Sequence, residues 1–203
     1  MSARQSPFEA LAKPILWDVS RRVLDLGIGL YRKRLGWIAR SGLVPPDASL
    51  LDVGCGIGHY ATLTRGPYLG VDMSEEYIAY ARQKRGDARH EFRSVDVATV
   101  RREGRSVDVV MSVDFLHHLT DQQCRAVLAD ERAMAERCLL TFEPVTEQTN
   151  RVGQWFIDND RGEHMRPHDR VRGLLEESGL RVERDEELYL GPIRTFVFVS
   201  RPA

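Results

Sequence analysis

The chain has 203 residues and a mass of 23.2 kDa, with 42% hydrophobic and 29% charged residues. That length suits one domain able to bury a core without disulfides or a structural metal. Its 29 basic and 30 acidic residues give a formal net charge of −1, so no global basic field exists to hold nucleic acid or an anionic membrane, and such a partner would need a local patch. No apolar run approaches the ~20 residues of a membrane span. The first 20 residues lack the apolar core and cleavage site of a secretory signal. Cys55, Cys124 and Cys138 are too few and too scattered for a disulfide framework or a zinc site. A cytoplasmic protein of one domain is the expectation.

In chain order, residues 18–41 are predicted as one helix, with Val19, Val23, Leu26, Leu30 and Ile38 at roughly helical spacing. Pro45-Pro46-Asp47 ends it and separates an N-terminal helical cap, 1–47, from the remainder, 48–203. Strands are expected at 50–53, 68–71, 92–95, 107–112 and 138–142. A short helix to about Arg65 follows the first strand. Ser74 looks like the N-cap of a helix to about Arg85, with Glu75 and Glu76 in its first turn. A further helix is expected over about 121–137. Residues 143–166 read as a long polar connection, after which Pro167 can open a last helix and Gly179 can close it. Two extended runs, 181–190 and 194–200, finish the chain. Alternating strands and helices with short links predict an α/β fold with a parallel sheet covered on both faces. The last two runs have no helix between them, so one of them should run antiparallel.

Two glycine-rich segments compete for the role of a cofactor loop. Asp25-Leu26-Gly27-Ile28-Gly29 leads into a basic amphipathic stretch, with no strand and terminal acid at the required distance. Asp52-Val53-Gly54-Cys55-Gly56-Ile57-Gly58 is followed by a short helix and a strand that ends at Asp72, 18 residues beyond Gly54. Only the second has the strand–loop–helix–strand–acid context that gives the pattern a mechanical meaning. Glycines let the chain turn sharply and let a ligand approach the backbone. An acid at the tip of the next strand can accept both hydroxyls of a ribose.

These residues carry a resemblance. Leu50–Gly58, with Gly-Val-Asp-Met-Ser (70–74), Ser-Val-Asp-Val (94–97) and the run 107–119, resembles the class I S-adenosylmethionine-dependent methyltransferases over about residues 48–200. The resemblance implies a seven-stranded, mostly parallel, doubly wound sheet with its last strand antiparallel, in a three-layer α/β/α sandwich. It implies S-adenosylmethionine as cofactor and S-adenosylhomocysteine as product. It would place Asp52, Gly54 and Gly56, with Cys55 in the loop, at the methionine end, and Asp72 on the ribose. Met73 would pack on the adenine, Asp96 would bond its amino group with Val97 beside it, and Ser112 would close the site. A dinucleotide site is the rival, because Gly56-x-Gly58-x-x-Ala61 fits that pattern taken alone. Against it stand Asp52, where such a strand has an apolar residue, and the short helix before Asp72.

Methyl transfer from a sulfonium needs the acceptor held in line, and a general base only where the acceptor must lose a proton. His117 and His118, after the fourth strand, are candidates for that base, or simply the start of the next helix. Glu143, after the fifth, can anchor an acceptor or be a solvated acid, and Asp114 can be a site acid or a turn residue. Tyr31, Trp155, His164 and Arg166 are candidates for the acceptor's walls and anion-binding rim, with Tyr189 and Arg194 on the last turn. The cap, with Trp17, Tyr31 and Trp37, can close over the cleft. His164 and His168 at i, i+4 lack a third ligand, so no metal is expected. The expected reaction is methylation of a small-molecule oxygen, nitrogen or carbon. Other readings are a nucleic-acid or protein methyltransferase, a cofactor-binding regulatory protein, or a nicotinamide enzyme. The only concentrated basic stretch, 32–40, reads as a solvated helix face, which disfavours nucleic acid. Monomer and homodimer are both open.

Overall fold

The structure, a computed structural model, describes residues 13–203; the first twelve residues of the cap and the Trp17 side chain lie outside the described residues. Strands β1 (Leu50–Val53) and β2 (Tyr68–Val71) are buried at every position. Apart from Asp52 their residues are apolar or tyrosine, as a parallel strand covered on both faces requires. With β3 (His90–Arg93), β4 (Val107–Val113), β5 (Ala135–Pro144), β6 (Leu180–Leu190) and β7 (Ile193–Pro202) they form one sheet in the order β3-β2-β1-β4-β5-β7-β6. The pairs from β3 through β5 are parallel, and β7 runs antiparallel to both β5 and β6. Strands β6 and β7 therefore make a hairpin inserted beside β5, as the absence of a helix between them predicted.

Helices cover both faces. The cap supplies α1 (Pro14–Ile28) and α2 (Leu30–Ser41), and α3 (Glu75–Arg85) follows β2. The side chains of Ile38, Ile78 and Ala81 pack with Leu50, Met111 and Phe142 on one face. On the other face α4 (Val97–Arg102), α5 (Asp121–Met134) and α7 (His168–Glu177) bring Val100, Leu128 and Leu174 against Leu51, Val110 and Leu139. Local signals set the starts: Ser74 accepts from the Tyr77 N–H, and Thr120 forms a reciprocal capping box with Gln123.

Several expectations need correction. The single helix over 18–41 is two, because Gly29 takes φ 71°, ending α1 and starting α2. The short helix before Arg65 is one 3-10 turn, Ala61–Leu63. Strand β3 lies two residues earlier than expected, because Asp96 caps α4, a helix too short to show a periodicity. The 143–166 connection is not structureless. It holds α6 (Arg151–Asp158), opened by Asn150, whose side chain accepts from the Gly153 N–H. Pro167 is the N-cap residue of α7 and stands just outside it.

Arg166 is also corrected. Read from the sequence as an anion-binding rim, it is buried and structural. Its Nε donates to Asp121 at 2.8 Å, and Nη1 donates to the carbonyls of Leu116 and His164, both at 2.9 Å. Nη2 donates to the Leu119 carbonyl. The planar guanidinium thus ties the loop after β4 to the segment before α7. Replacing Arg166 by Met removes all these donors and leaves the Leu116 carbonyl only the Leu119 N–H and the Cys124 thiol, and the Leu119 carbonyl only that thiol. Urea unfolding at neutral pH should show a loss of about 3 kcal/mol. A loss under about 1 kcal/mol would mean that water takes over the guanidinium's place.

Candidate active site

A cavity of about 240 Å³ opens at the carboxyl ends of the central strands, where open α/β sheets place their ligands. One end is the loop after β1. Gly54, Gly56 and Gly58 have φ of 71°, 54° and 77°, conformations that side chains rarely adopt. A Cβ on Gly54 would lie 2.4 Å from the Phe115 ring, whereas one on Gly56 would meet only open space. The Gly56 N–H donates to Asp72 Oδ2 at 2.9 Å, and the Ser74 N–H donates to Oδ1 at 2.8 Å. Asp72 therefore sits rigidly at the tip of β2, on the cavity wall. Asp52 accepts the Tyr68 hydroxyl at 2.7 Å; burial pushes its carboxyl up to about 7, against the opposing pull of that hydrogen bond. Burial likewise pushes the Cys55 thiol up, so it is no nucleophile.

The middle of the cavity is set by the end of β4. Asp114 has φ 51°, the one non-glycine positive φ among the described residues. Both its carboxylate oxygens accept from the buried Arg34 of α2, Oδ2 at 2.8 Å from Nη1, which also donates to the Tyr60 hydroxyl at 3.2 Å. Burial opposes the Arg34 charge, but Asp114 outweighs it and the guanidinium stays protonated. The basic run at 32–34 is thus not all solvated face: Arg34 points inward and fastens the cap to the strand end. Tyr31 stacks on His59 at 4.1 Å between ring centroids and meets the Tyr60 edge at 5.6 Å, on the same wall.

Glu143 organises the third part. It is 1% exposed and borders no open space, so it cannot anchor an acceptor. Its Oε1 accepts the N–H groups of Phe115 and Leu116 at 2.8 and 2.7 Å, and its Oε2 meets His117 Nδ1 at 2.8 Å. On the far side of that ring, Nε2 lies 3.4 Å from Asp160. Burial opposes the imidazolium, but the two carboxylates win and push His117 up to about 10. Gly162 closes over the ring, where a Cβ would come within 2.1 Å of it. His117 is therefore a locked cation and no base at neutral pH. The adjoining His118, ring centroid 4.3 Å away, is pushed down to about 4 by desolvation and then by the His117 charge. It is neutral and faces the cavity.

Of the residues singled out from the sequence, the structure gathers Tyr31, Asp52, Gly54, Cys55, Gly56, Asp72, His117 and His118 around this one cavity. Others stand elsewhere. Ser112 is buried on the face that α5 covers, because side chains alternate along β4, and Val113 and Asp114 line the cavity instead. Val97 packs in the core and Asp96 accepts from Thr99 at the start of α4. Met73 is exposed, outside the wall. Trp155 is half-exposed on the outer side of α6, while Phe156 and Ile157 face the cavity. His164 contributes its backbone N–H to the His117 carbonyl. Tyr189 and Arg194 also lie off the wall, which the hairpin reaches through Leu190, Ile193 and Thr195. His168 pairs with Asp185, so the i, i+4 histidines do not converge. Instead, donor atoms of His117, His118 and Asp160 lie within 4.8 Å of one another. Both nitrogens of His117 already face carboxylates, and an ion pair accounts for the cluster. The residues missed in the sequence were Arg34 and Asp160. Nothing in their local sequence distinguishes them from surface charges.

The locked cation makes stability depend on pH. The raised His117 contributes stability fully below its ordinary value of about 6.5, and loses it as pH rises toward about 10. Asp160, held down to about 2 by His117 against the effect of burial, contributes above about 3.8 and loses this as pH falls toward about 2. The wild-type advantage over a His117→Asn variant in urea unfolding should therefore be greatest near pH 4–6.5 and shrink steadily to pH 10. An advantage independent of pH across 6.5–10 would show that His117 is neutral in the folded protein.

Comparison with known proteins agrees with this geometry. Residues 50–136 match the family described as "Methyltransferase domain". No curated protein gives a significant sequence match. Among solved structures, magnesium protoporphyrin IX methyltransferase from Synechocystis PCC 6803 with bound SAH superposes with a TM-score of 0.70 at 18% identity, covering 96% of this chain and 97% of that one. An O-methyltransferase family protein from Burkholderia thailandensis gives 0.70 at 19% identity, over 98% of this chain and 64% of that one. The mitomycin 7-O-methyltransferase gives 0.69 at 19%, over 99% and 62%. The matched domain, the motif-bearing loop after β1 and the acid at the tip of β2 in one cavity make residues 50–136 similar to a methyltransferase domain, in a chain with the methyltransferase α/β fold.

Proposed function

We propose that this enzyme methylates a small, largely apolar acceptor bearing a hydroxyl, amine or activated carbon. The observation that carries the reading is the two-sided wall of the cavity. One side is polar and built from main chain and acids, at Asp52, Gly56 and Asp72. The other brings apolar side chains of Val113, Phe115, Phe156, Ile157, Leu190 and Ile193 to the wall, beside His118, Asp160 and Arg161. The first fits the cofactor. Asp72 keeps lone pairs for the ribose hydroxyls beyond the two N–H groups it accepts. The open space at Gly56 admits a ligand against the main chain. Asp52, Gly54 and Cys55 would border the methionine end.

When bound, S-adenosylmethionine supplies an electrophilic methyl group on a good leaving group. The protein's part is to hold the acceptor in line and keep water away, and orientation of this kind is worth up to ~7–11 kcal/mol. The apolar wall does both. For a hydroxyl acceptor, neutral His118 takes the proton at a free imidazole nitrogen, while His117, fixed by Glu143 and Asp160, sets the position of its neighbour. Two of the structural relatives are named for small-molecule acceptors, a magnesium protoporphyrin and mitomycin.

The deciding experiment follows labelled methyl from the cofactor into a panel of phenols, aryl acids and amines, with RNA and denatured protein alongside. Transfer to macromolecules alone would replace this reading. Asp72→Ala should weaken S-adenosylhomocysteine binding by about tenfold or more in calorimetry, as loss of a charged, part-buried acceptor implies. His118→Ala should lower kcat for a hydroxyl acceptor by about 10²–10⁴ while leaving that affinity within about twofold. An unchanged kcat would remove His118 as the base.

A further inference from the structure

Helix α1 carries an apolar stripe that its own domain leaves uncovered among the described residues. Ile15, Leu16, Val19, Val23 and Leu26 are between 46% and 81% exposed. Positions 15, 19, 23 and 26 fall on one stripe, with Leu16 beside it. On the opposite side of the helix, among its described residues, Asp18 faces the body of the protein, accepts from Tyr80 at 3.0 Å and pairs with Arg85 at 3.4 Å, and Ile28 packs toward Gly191. A contiguous apolar face of this kind marks a contact site.

Charge indicates what the contact is. Residues 13–41 hold seven basic and two acidic side chains in a chain whose net charge is −1, so the two cap helices are strongly positive and the rest is negative. At the C-terminal end of α1, a shallow groove between Gly27, Gly29 and Gly191 is lined by Arg32, Lys33 and Arg40, all exposed. Arg32 shares Asp25, and Lys33 donates to the Tyr189 carbonyl at 3.0 Å. The Tyr189 side chain is itself exposed, an amphipathic ring beside the cations. Two copies apposed through this surface would set like charges together, which disfavours self-association.

We propose that the α1–α2 pair docks this protein on an anionic phospholipid surface, the apolar stripe entering the acyl boundary and Arg32, Lys33 and Arg40 meeting headgroup phosphates. An apolar stripe flanked by cations is what interfacial helices use. Among the described residues no helix is long and apolar enough to cross a membrane, so the helix lies on the surface. Ser20 and Ile28 of the same helix line the cavity, so docking would bring the cavity mouth to the lipid. The docking itself does not depend on which acceptor the enzyme uses.

The test is co-sedimentation of the full chain with vesicles of phosphatidylglycerol and phosphatidylcholine, or of phosphatidylcholine alone. Binding should be at least about tenfold stronger to the anionic vesicles and should weaken as salt is raised. Val23→Asp with Leu26→Asp should abolish it, and Lys33→Glu with Arg40→Glu should reduce it about tenfold or more. Both double variants should keep the wild-type affinity for S-adenosylhomocysteine, which shows that they fold. No sedimentation with anionic vesicles, or sedimentation unchanged in both variants, overturns the proposal. So does inhibition by inorganic phosphate in solution without vesicle binding, which would make the groove a site for free anions. A wild-type dimer in sedimentation velocity that Val23→Asp with Leu26→Asp dissociates would assign the stripe to a second copy instead.

Discussion

The carboxylate of Glu143 is the point on which the active end of this molecule hangs. Parallel strands end in unpaired N–H and carbonyl groups, and a chain leaving β4 has no ladder to direct it. Glu143, at the end of the neighbouring β5, supplies that direction from within the protein by accepting two successive N–H groups and the His117 ring. Because it is buried, these bonds are not diluted by water, and losing any partner would leave a charge uncompensated. The turn from Phe115 to His117 therefore has one conformation. Phe115 in turn fills the space that Gly54 leaves by lacking a side chain. The cofactor loop and the acceptor side are thus fitted to each other through one ring.

Around that point the charges are arranged in alternation. Asp160, the His117 imidazolium and Glu143 form one line, and Arg34 with Asp114 forms a second. In both lines each charge has its counter-charge within contact, as the cost of burial demands. The histidine left neutral on the cavity wall is His118, and its neutrality follows first from desolvation and then from its charged neighbour. Two adjacent histidines thereby acquire different protonation states from their surroundings, the general route by which a site separates acid from base.

The sheet was legible in the sequence because its signals are local. Short apolar runs bounded by turn residues showed β1, β2, β4 and β5, and the missing helix near the end showed that one strand turns back. Ser74 announced α3 by its own capping chemistry. The elements that escaped were brief or flanked by polar sequence: α4 has six residues, and α6 lies in a stretch whose composition resembles a loop. Its signal was present in Asn150 and in the spacing of Val152, Phe156 and Ile157. The break at Gly29 could not be told from a tolerated helical glycine, since only the packing of α1 and α2 demands a left-handed residue there.

The site divided along the same line. The sequence alone brought Asp52, Gly56 and Asp72 to one cavity, because strand, glycine loop, strand and acid are consecutive and their spacing constrains where they meet, whereas Met73, Asp96, Val97 and Ser112, also expected on the cofactor, stand off that wall. Only the tertiary structure decided the other half. Arg34, Asp114, Glu143 and Asp160 come from four separate elements, and nothing in the neighbourhood of any one of them reveals its partner. It also reversed individual assignments, burying Arg166 against carbonyls and turning Ser112 into the core, because side-chain direction depends on strand pleat and on contacts far along the chain. The charge balance shows the same limit. Summed over the chain it is almost zero; the sequence shows that the positive part gathers over residues 13–41, and only the fold reveals the exposed apolar stripe beside it. A sum carries no position, and recognition depends on position.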